Sequence, residues 1–213
     1  MKYNRLELLF EDDFEKLSNT KILLCGVGGV GSFALDALYR SSITNITIID
    51  FDIYEESNLN RQLGSDGAIG RVKVDRLKEL YPNVNAINMR LTPEIINEFD
   101  FSEFDIVIDA IDDIPSKVAL AKKTHKKLVS SCGGAKRLDP TKIEFANIWD
   151  VIIDPFGKKF KYELKQAGFK EDFDVVFSTE NPKKIEGLGS FVGVTGSFGL
   201  AVASLVVKKI LKT

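Results

Sequence analysis

The sequence predicts an α/β fold: a doubly wound, mostly parallel sheet with flanking helices and a C-terminal sheet-and-helix extension. Three observations carry this. Short continuous apolar runs, "KILLCG", "FDIVIDAID" and "LVSSCGG", read as strands buried on both faces. They alternate with segments of helical period. The first run opens into glycines followed directly by a helix.

Along the chain, Leu6 to Leu17 reads as a short amphipathic helix. "KILLCG" is the first strand, Val30 to Arg40 a helix and "NITIIDFD" the second strand. "GRVKVDRLKELYP" is a helix closed by Pro82, and "VNAINMR" an alternating strand. "FDIVIDAID" is followed by the helix "IPSKVALAKKTHKK", with Pro115 in its first turn, and by "LVSSCGG". Beyond it, "KIEFANIWDV" and "FDVVFST" read as strands around the helix "PFGKKFKYELKQAG". The polar segment at 180–189 is an exposed loop before a C-terminal helix. No linker separates two domains. The reading is one domain over 1–213, with an N-terminal helix (1–18), a nucleotide-binding core (20–135) and a substrate-side extension (136–213).

Composition narrows the class. The 213 residues are 44% hydrophobic and 28% charged, and the net charge of −2 supplies no global field toward nucleic acid. Two cysteines without a CxxC pair exclude a disulfide framework and a four-cysteine zinc site. Acids through the apolar N-terminus argue against a secretory signal and for a cytoplasmic protein. The uncharged stretch Leu188 to Val207 approaches the length of a membrane span, but glycines, serines and threonines dilute it. A helix packed on the sheet is the preferred reading, with peripheral membrane contact as the alternative.

Gly26, Gly28, Gly29 and Gly31 lie between strand and helix, where a backbone without Cβ atoms and a helix N-terminus suit a phosphate. Asp50 ends the next strand, 19 residues after Gly31, in the place of a ribose-binding acid of a Rossmann-like sheet. These features predict a nucleotide without choosing one. Arg61 and Lys73 add cations suited to a triphosphate, and Asp52 and Asp112 add carboxylates that make sense around magnesium. Together they point to ATP with Mg²⁺ rather than a dinucleotide.

"GVGGVGS", "DFDIYEESNLNRQ", "VKVDRL" and "DAIDD" resemble the adenylating ThiF/MoeB/HesA-type family, relatives of ubiquitin-activating enzymes. "GGAKRLDPTKIEFANIWDVIIDPF", "DVVFSTENP" and "VTGSFGLAVASLVVKKIL" are similar to its tRNA threonylcarbamoyladenosine dehydratase subgroup. The resemblance implies an ATP-dependent enzyme that adenylates the threonyl carboxylate of that tRNA base and cyclises it. It further implies that Gly26, Gly28, Gly29 and Gly31 line the nucleotide, that Asp50 holds ribose and that Asp52 lies beside it. Asn58, Arg61 and Lys73 would meet phosphates, Asp112 magnesium, and Arg5 the neighbouring active site of a homodimer. A sulfur-relay protein is an implied partner. Relatives acting on small ubiquitin-like sulfur carriers often hold zinc through CxxC pairs. This chain has none, so activation of such a carrier's C-terminus is the alternative function. A nucleotide-binding subunit without chemistry, or a dinucleotide-dependent enzyme, is a third reading.

Other candidates are weaker. Where dehydratase relatives are expected to carry a catalytic cysteine, this chain has Val176. Cys132 is a small buried residue or a nucleophile, and His125 a solvated helix residue. Lys117, Lys122, Lys123, Lys126, Lys127, Lys136 and Arg137 form an acid-free basic run, and Lys158, Lys159, Lys161 and Lys165 a second. Both are candidate RNA contacts.

Overall fold

The computed structural model describes residues 3–212. The apolar runs form the middle of a seven-stranded sheet in the order β3-β2-β1-β4-β5-β7-β6. β1 (Ile22–Cys25), β4 (Ile106–Asp109) and β5 (Leu128–Ser131) are buried throughout, and β2 (Ile46–Asp50) up to its last residue. Strands covered on both faces have no polar side, which is why these runs do not alternate. β3 (Asn85–Asn88) is one edge. β7 (Asp174–Ser178) runs parallel to β5, and β6 (Ile143–Asn147) pairs antiparallel with β7 at the other edge. The C-terminal extension thus continues the nucleotide-binding sheet.

Successive strand residues feed two cores. Ile22, Leu24, Ile46 and Ile48 face α2 (Phe14–Asn19), α3 (Gly31–Arg40), α4 (Lys73–Leu80) and α8 (Val192–Leu211). Leu23, Cys25 and Val107 face α5 (Pro93–Glu98), α6 (Ile114–Thr124) and α7 (Pro155–Gln166). β2 and β4 flank β1 on opposite sides, so the chain reverses its winding there and opens a crevice beyond the strand ends.

The structure corrects several boundaries. The expected N-terminal helix is two: α1 (Asn4–Phe10) and α2, separated by a 3₁₀ turn at Glu11–Asp13 where Glu11 takes φ of 47°. α5 was not anticipated, although Thr92 caps it by accepting the Ile95 N–H at 3.4 Å and Pro93 opens it. β6 stops at Asn147 because that side chain accepts the Trp149 N–H at 3.0 Å and turns the chain.

α8 is long and apolar enough to cross a bilayer, yet half of its most apolar window is buried in the fold. Val194, Phe198, Val202 and Val206 are fully buried against the sheet. Gly199 lets α8 touch α3: a Cβ there would lie 2.4 Å from the Val30 carbonyl oxygen and 2.6 Å from Phe33 Cβ. Gly199→Val should therefore overpack the helix pair and lower stability by about 1–3 kcal/mol in urea unfolding.

Candidate active site

A cleft of about 1030 Å³ opens at the reversal point, beyond the carboxyl ends of β1, β2, β4 and β5. It is lined by Gly26, Gly28, Gly29, Asp50, Asp52, Asn58, Arg61, Lys73 and Asp112. Two predicted residues, Gly31 and Arg5, are not on its wall.

The glycines divide by role. Gly26 takes φ of +88°, and a Cβ on it would stand 2.8 Å from the Ala110 carbonyl oxygen. Gly31 opens α3 directly above, where a Cβ would come to 1.9 Å from the Gly26 carbonyl oxygen. These two allow helix and strand to meet. Gly28 has open space, its imagined Cβ finding only Gln62 Nε2 at 3.8 Å. It leaves the cleft wide enough for a ligand to approach the backbone.

Asp50 is held by the loop it serves. Its carboxylate accepts the Val27 N–H at 2.8 Å and the Asp52 N–H at 2.9 Å. A carboxylate has roughly four acceptor sites, so capacity remains for hydroxyl donors in the cleft. Lys73 begins α4, and its N–H donates to the Asp52 carbonyl at 3.0 Å. Its ammonium is 6% exposed and meets the Asp52 carboxylate at 2.9 Å. Burial of a charge requires such a partner. Asn58 is buried, and its side-chain oxygen accepts the Glu55 N–H at 3.1 Å, closing a capping box with Glu55. Arg61 donates to the Ser57 carbonyl at 2.6 Å and to Asn60 at 3.0 Å, and its stem packs on Gly29. The cations are thus fixed before any ligand arrives.

Asp112 is exposed and has no hydrogen bond or ion pair among the described residues. Asp113 is spent on α6, accepting the Ser116 N–H at 2.9 Å. The described residues contain no group of three or more His, Cys, Asp or Glu side chains suited to a metal. One free carboxylate still fits magnesium, which usually takes one or two carboxylates plus substrate phosphates. Arg5 lies on α1, in a separate cavity of about 610 Å³ with Asp36, Tyr39, Arg40 and Tyr81.

Sequence reasoning missed two buried ion pairs behind the cleft. Lys117 and Asp109 meet at 2.8 Å with both side chains fully buried. Arg137, 3% exposed, meets fully buried Asp154 at 2.9 Å. Lys117 and Arg137 therefore leave the basic run proposed for RNA. Backbone carbonyls hold two more of its lysines, Lys127 at Phe101 and Phe104 and Lys136 at Ile185, and Lys161 of the second run at Trp149 and Val151. Lys122, Lys123, Lys126, Lys158, Lys159 and Lys165 stay exposed. An acid one strand away was the only signal for either pair.

Three further expectations meet the structure here. Cys132 is 3% exposed at the cleft floor, and burial pushes its thiol well above the ordinary range, which favours the reading of a small buried residue. His125 is half-buried rather than solvated, edge-on to Phe169. The exposed 180–189 loop is stitched to Lys136, whose N–H donates to the Gly189 carbonyl and whose carbonyl accepts the Lys183 N–H, both at 2.8 Å. Leu188 and Ser190 carry this loop into the cleft wall.

A glycine loop, an acid at the end of the second strand and two fixed cations in one crevice define a nucleotide-binding α/β protein. The chain belongs to the ThiF family, whose profile matches residues 2–213. It is 36% identical over 192 residues to the tRNA threonylcarbamoyladenosine dehydratase of Bacillus subtilis (strain 168), covering 85% of this chain and 76% of that one. The Escherichia coli tRNA N6-threonylcarbamoyladenosine dehydratase, solved with AMP, superposes with a TM-score of 0.92 at 30% identity, covering 99% of this chain and 94% of that one. Its complex with ATP gives 0.90. The molybdopterin-synthase adenylyltransferase of Haemophilus influenzae is 34% identical over 150 residues, covering 65% of this chain and 61% of that one.

The two kinds of glycine are separable. Gly31→Ala should lower the thermal midpoint and abolish nucleotide binding together. Gly28→Ala should unfold like the wild type yet bind ATP more weakly, as read by calorimetry.

Proposed function

We propose that this protein is an ATP-dependent dehydratase that adenylates the threonyl carboxylate of threonylcarbamoyladenosine in tRNA and promotes its cyclisation. The observation that carries the reading is the convergence of Asp50, Arg61, Lys73 and an unpaired Asp112 on one cleft. The likeness to dehydratases over nearly the whole chain, at 30–36% identity, favours the tRNA base over a carrier protein.

In this reading the glycine-loop N–H groups and the α3 N-terminus face the phosphates, and Asp50 accepts the ribose hydroxyls. Asn58, Arg61 and Lys73 meet the triphosphate. The substrate carboxylate is already ionised at neutral pH, so its oxygen attacks the α-phosphorus without a general base. Pyrophosphate leaves with charge that Arg61 and Lys73 stabilise, making positioning and electrostatics the main contributions. The carbamoyl group of the same base then attacks the acyl carbon, closing the ring as the bond to AMP breaks and a proton is released. Asp112 would hold magnesium brought with the nucleotide, whose positive charge supplies neutralisation at the phosphates. The buried Cys132 and Val176 fit a route without a thioester.

We further read residues 1–213 as one adenylation domain acting in the cytoplasm as a homodimer. Arg5, remote from its own cleft, would serve the neighbour's site. The exposed lysines of α6 and α7 would contact the tRNA backbone, and a sulfur-relay protein is a candidate partner.

The protein incubated with ATP, Mg²⁺ and tRNA carrying threonylcarbamoyladenosine should remove one water from the modified nucleoside, as seen by mass spectrometry. An unchanged mass, with pyrophosphate exchange driven by a carrier-protein C-terminus, would replace this reading with the carrier alternative. Lys73→Ala and Asp112→Ala should each lower turnover by about a hundredfold or more while the protein stays folded. Mixing inactive Arg5→Ala with inactive Lys73→Ala should restore turnover, because a mixed dimer holds one complete site. No recovery would remove Arg5 from the neighbour's site.

A further inference from the structure

Among the described residues Lys117 is the most completely buried cation, and its contacts go to the cleft floor. Besides the 2.8 Å pair with Asp109, its ammonium donates to the Ser131 carbonyl at 2.9 Å and the Ile111 carbonyl at 3.2 Å. The rings of Phe156 and Phe160 lie 5.7 and 5.5 Å from it. Asp109 accepts the Ser130 hydroxyl at 2.7 Å and the Ile111 N–H at 3.2 Å. The pair therefore ties together the two segments that follow β4 and β5.

Both segments are cleft wall. Residues 110–113 supply Ala110, Ile111 and Asp112, and residues 131–135 supply Ser131, Cys132 and the two glycines beyond it. Ala110 also bears directly on the glycine loop: its N–H donates to the Cys25 carbonyl at 2.9 Å, and its carbonyl closes on Gly26. A buried ion pair is a poor stabiliser, since apolar residues of similar volume often serve as well or better. Its fixed directions are what an apolar pair cannot reproduce.

We infer that the Asp109–Lys117 pair is a positioning device for the active-site floor, setting the spacing of Asp112 and the 131–135 wall from the glycine loop. The inference rests on the nucleotide cleft of the proposed function and adds to it two residues that never touch the substrate.

The double variant D109L/K117M tests it. The unfolding midpoint in urea should equal or exceed that of the wild type, because removing both partners also removes the desolvation cost of burying them. ATP affinity by calorimetry should nevertheless fall by about tenfold, and kcat on tRNA by about a hundredfold, the order expected for misplaced reacting groups. A stable double variant with wild-type ATP affinity would reduce the pair to a packing element and overturn the inference. Should D109L/K117M fail to fold, S130A decides. It removes one bond to Asp109 and keeps the ion pair, so an unchanged midpoint with weaker ATP binding supports the positioning role, and wild-type affinity defeats it. ATP binding is read without tRNA, so a wild type that binds ATP but leaves tRNA unchanged refutes the proposed function alone.

Discussion

The close approach between the start of α3 and Gly26, just past the end of β1, decides where everything else sits. A single methyl group on Gly31 would enter the Gly26 carbonyl oxygen at 1.9 Å. The helix can begin that near the strand only because both positions lack a Cβ. Its first turn consequently stands at the crevice left by the winding reversal at β1, where Gly28, Gly29 and Val30 line the wall. The same closeness is passed outward, since α8 rests on the first turn of α3 through Gly199. An apolar C-terminal helix that could have suited a bilayer by length is thereby committed, on one side, to the fold.

Charge follows from this geometry. A cation enclosed behind such a crevice is cut off from water, so it must be neutralised locally. Lys73 has Asp52, Lys117 has Asp109 and Arg137 has Asp154. In each case one partner also ties down backbone: Asp52 through its carbonyl, Asp109 through Ile111, Asp154 through the Gly157 N–H at 2.9 Å. Each buried charge thus serves the loops that form the wall. Lysines on the outer faces of α6 and α7 carry no such duty and remain exposed.

Much of this was legible in the residue order. Buried parallel strands announce themselves as continuous apolar runs, and a glycine loop with an acid one strand later locates the crevice. The convergence of Arg61, Lys73 and Asp112 could be expected because each sits just past a strand or at a helix start. The buried pairs could not. Lys117 stands three residues before Leu120 on a helix whose period marks it only as one charge among several, and the strand that carries Asp109 reads as apolar. Which side of α6 faces β4 is a tertiary fact. The same limit explains Arg137, which counted as surface because the other six members of its basic run are lysines. α5 is a different case: "TPEIINEF" carries a cap and an N1 proline, and its signal was present but brief.

Asp52 joins these strands of argument. In a dinucleotide-binding sheet one acid at the end of the second strand suffices, and a second has no evident work. Here Lys73 is almost fully enclosed while Asp52 keeps 47% of its side chain exposed. A buried ammonium cannot be left without an anion, whether or not a phosphate is present. Asp52 meets that need with a half-exposed carboxylate on the cleft wall. A triphosphate site needs a cation poised in advance, and a cation poised in advance needs a resident counter-charge. The aspartate two residues beyond Asp50 is the physical consequence of placing Lys73 at the first turn of α4.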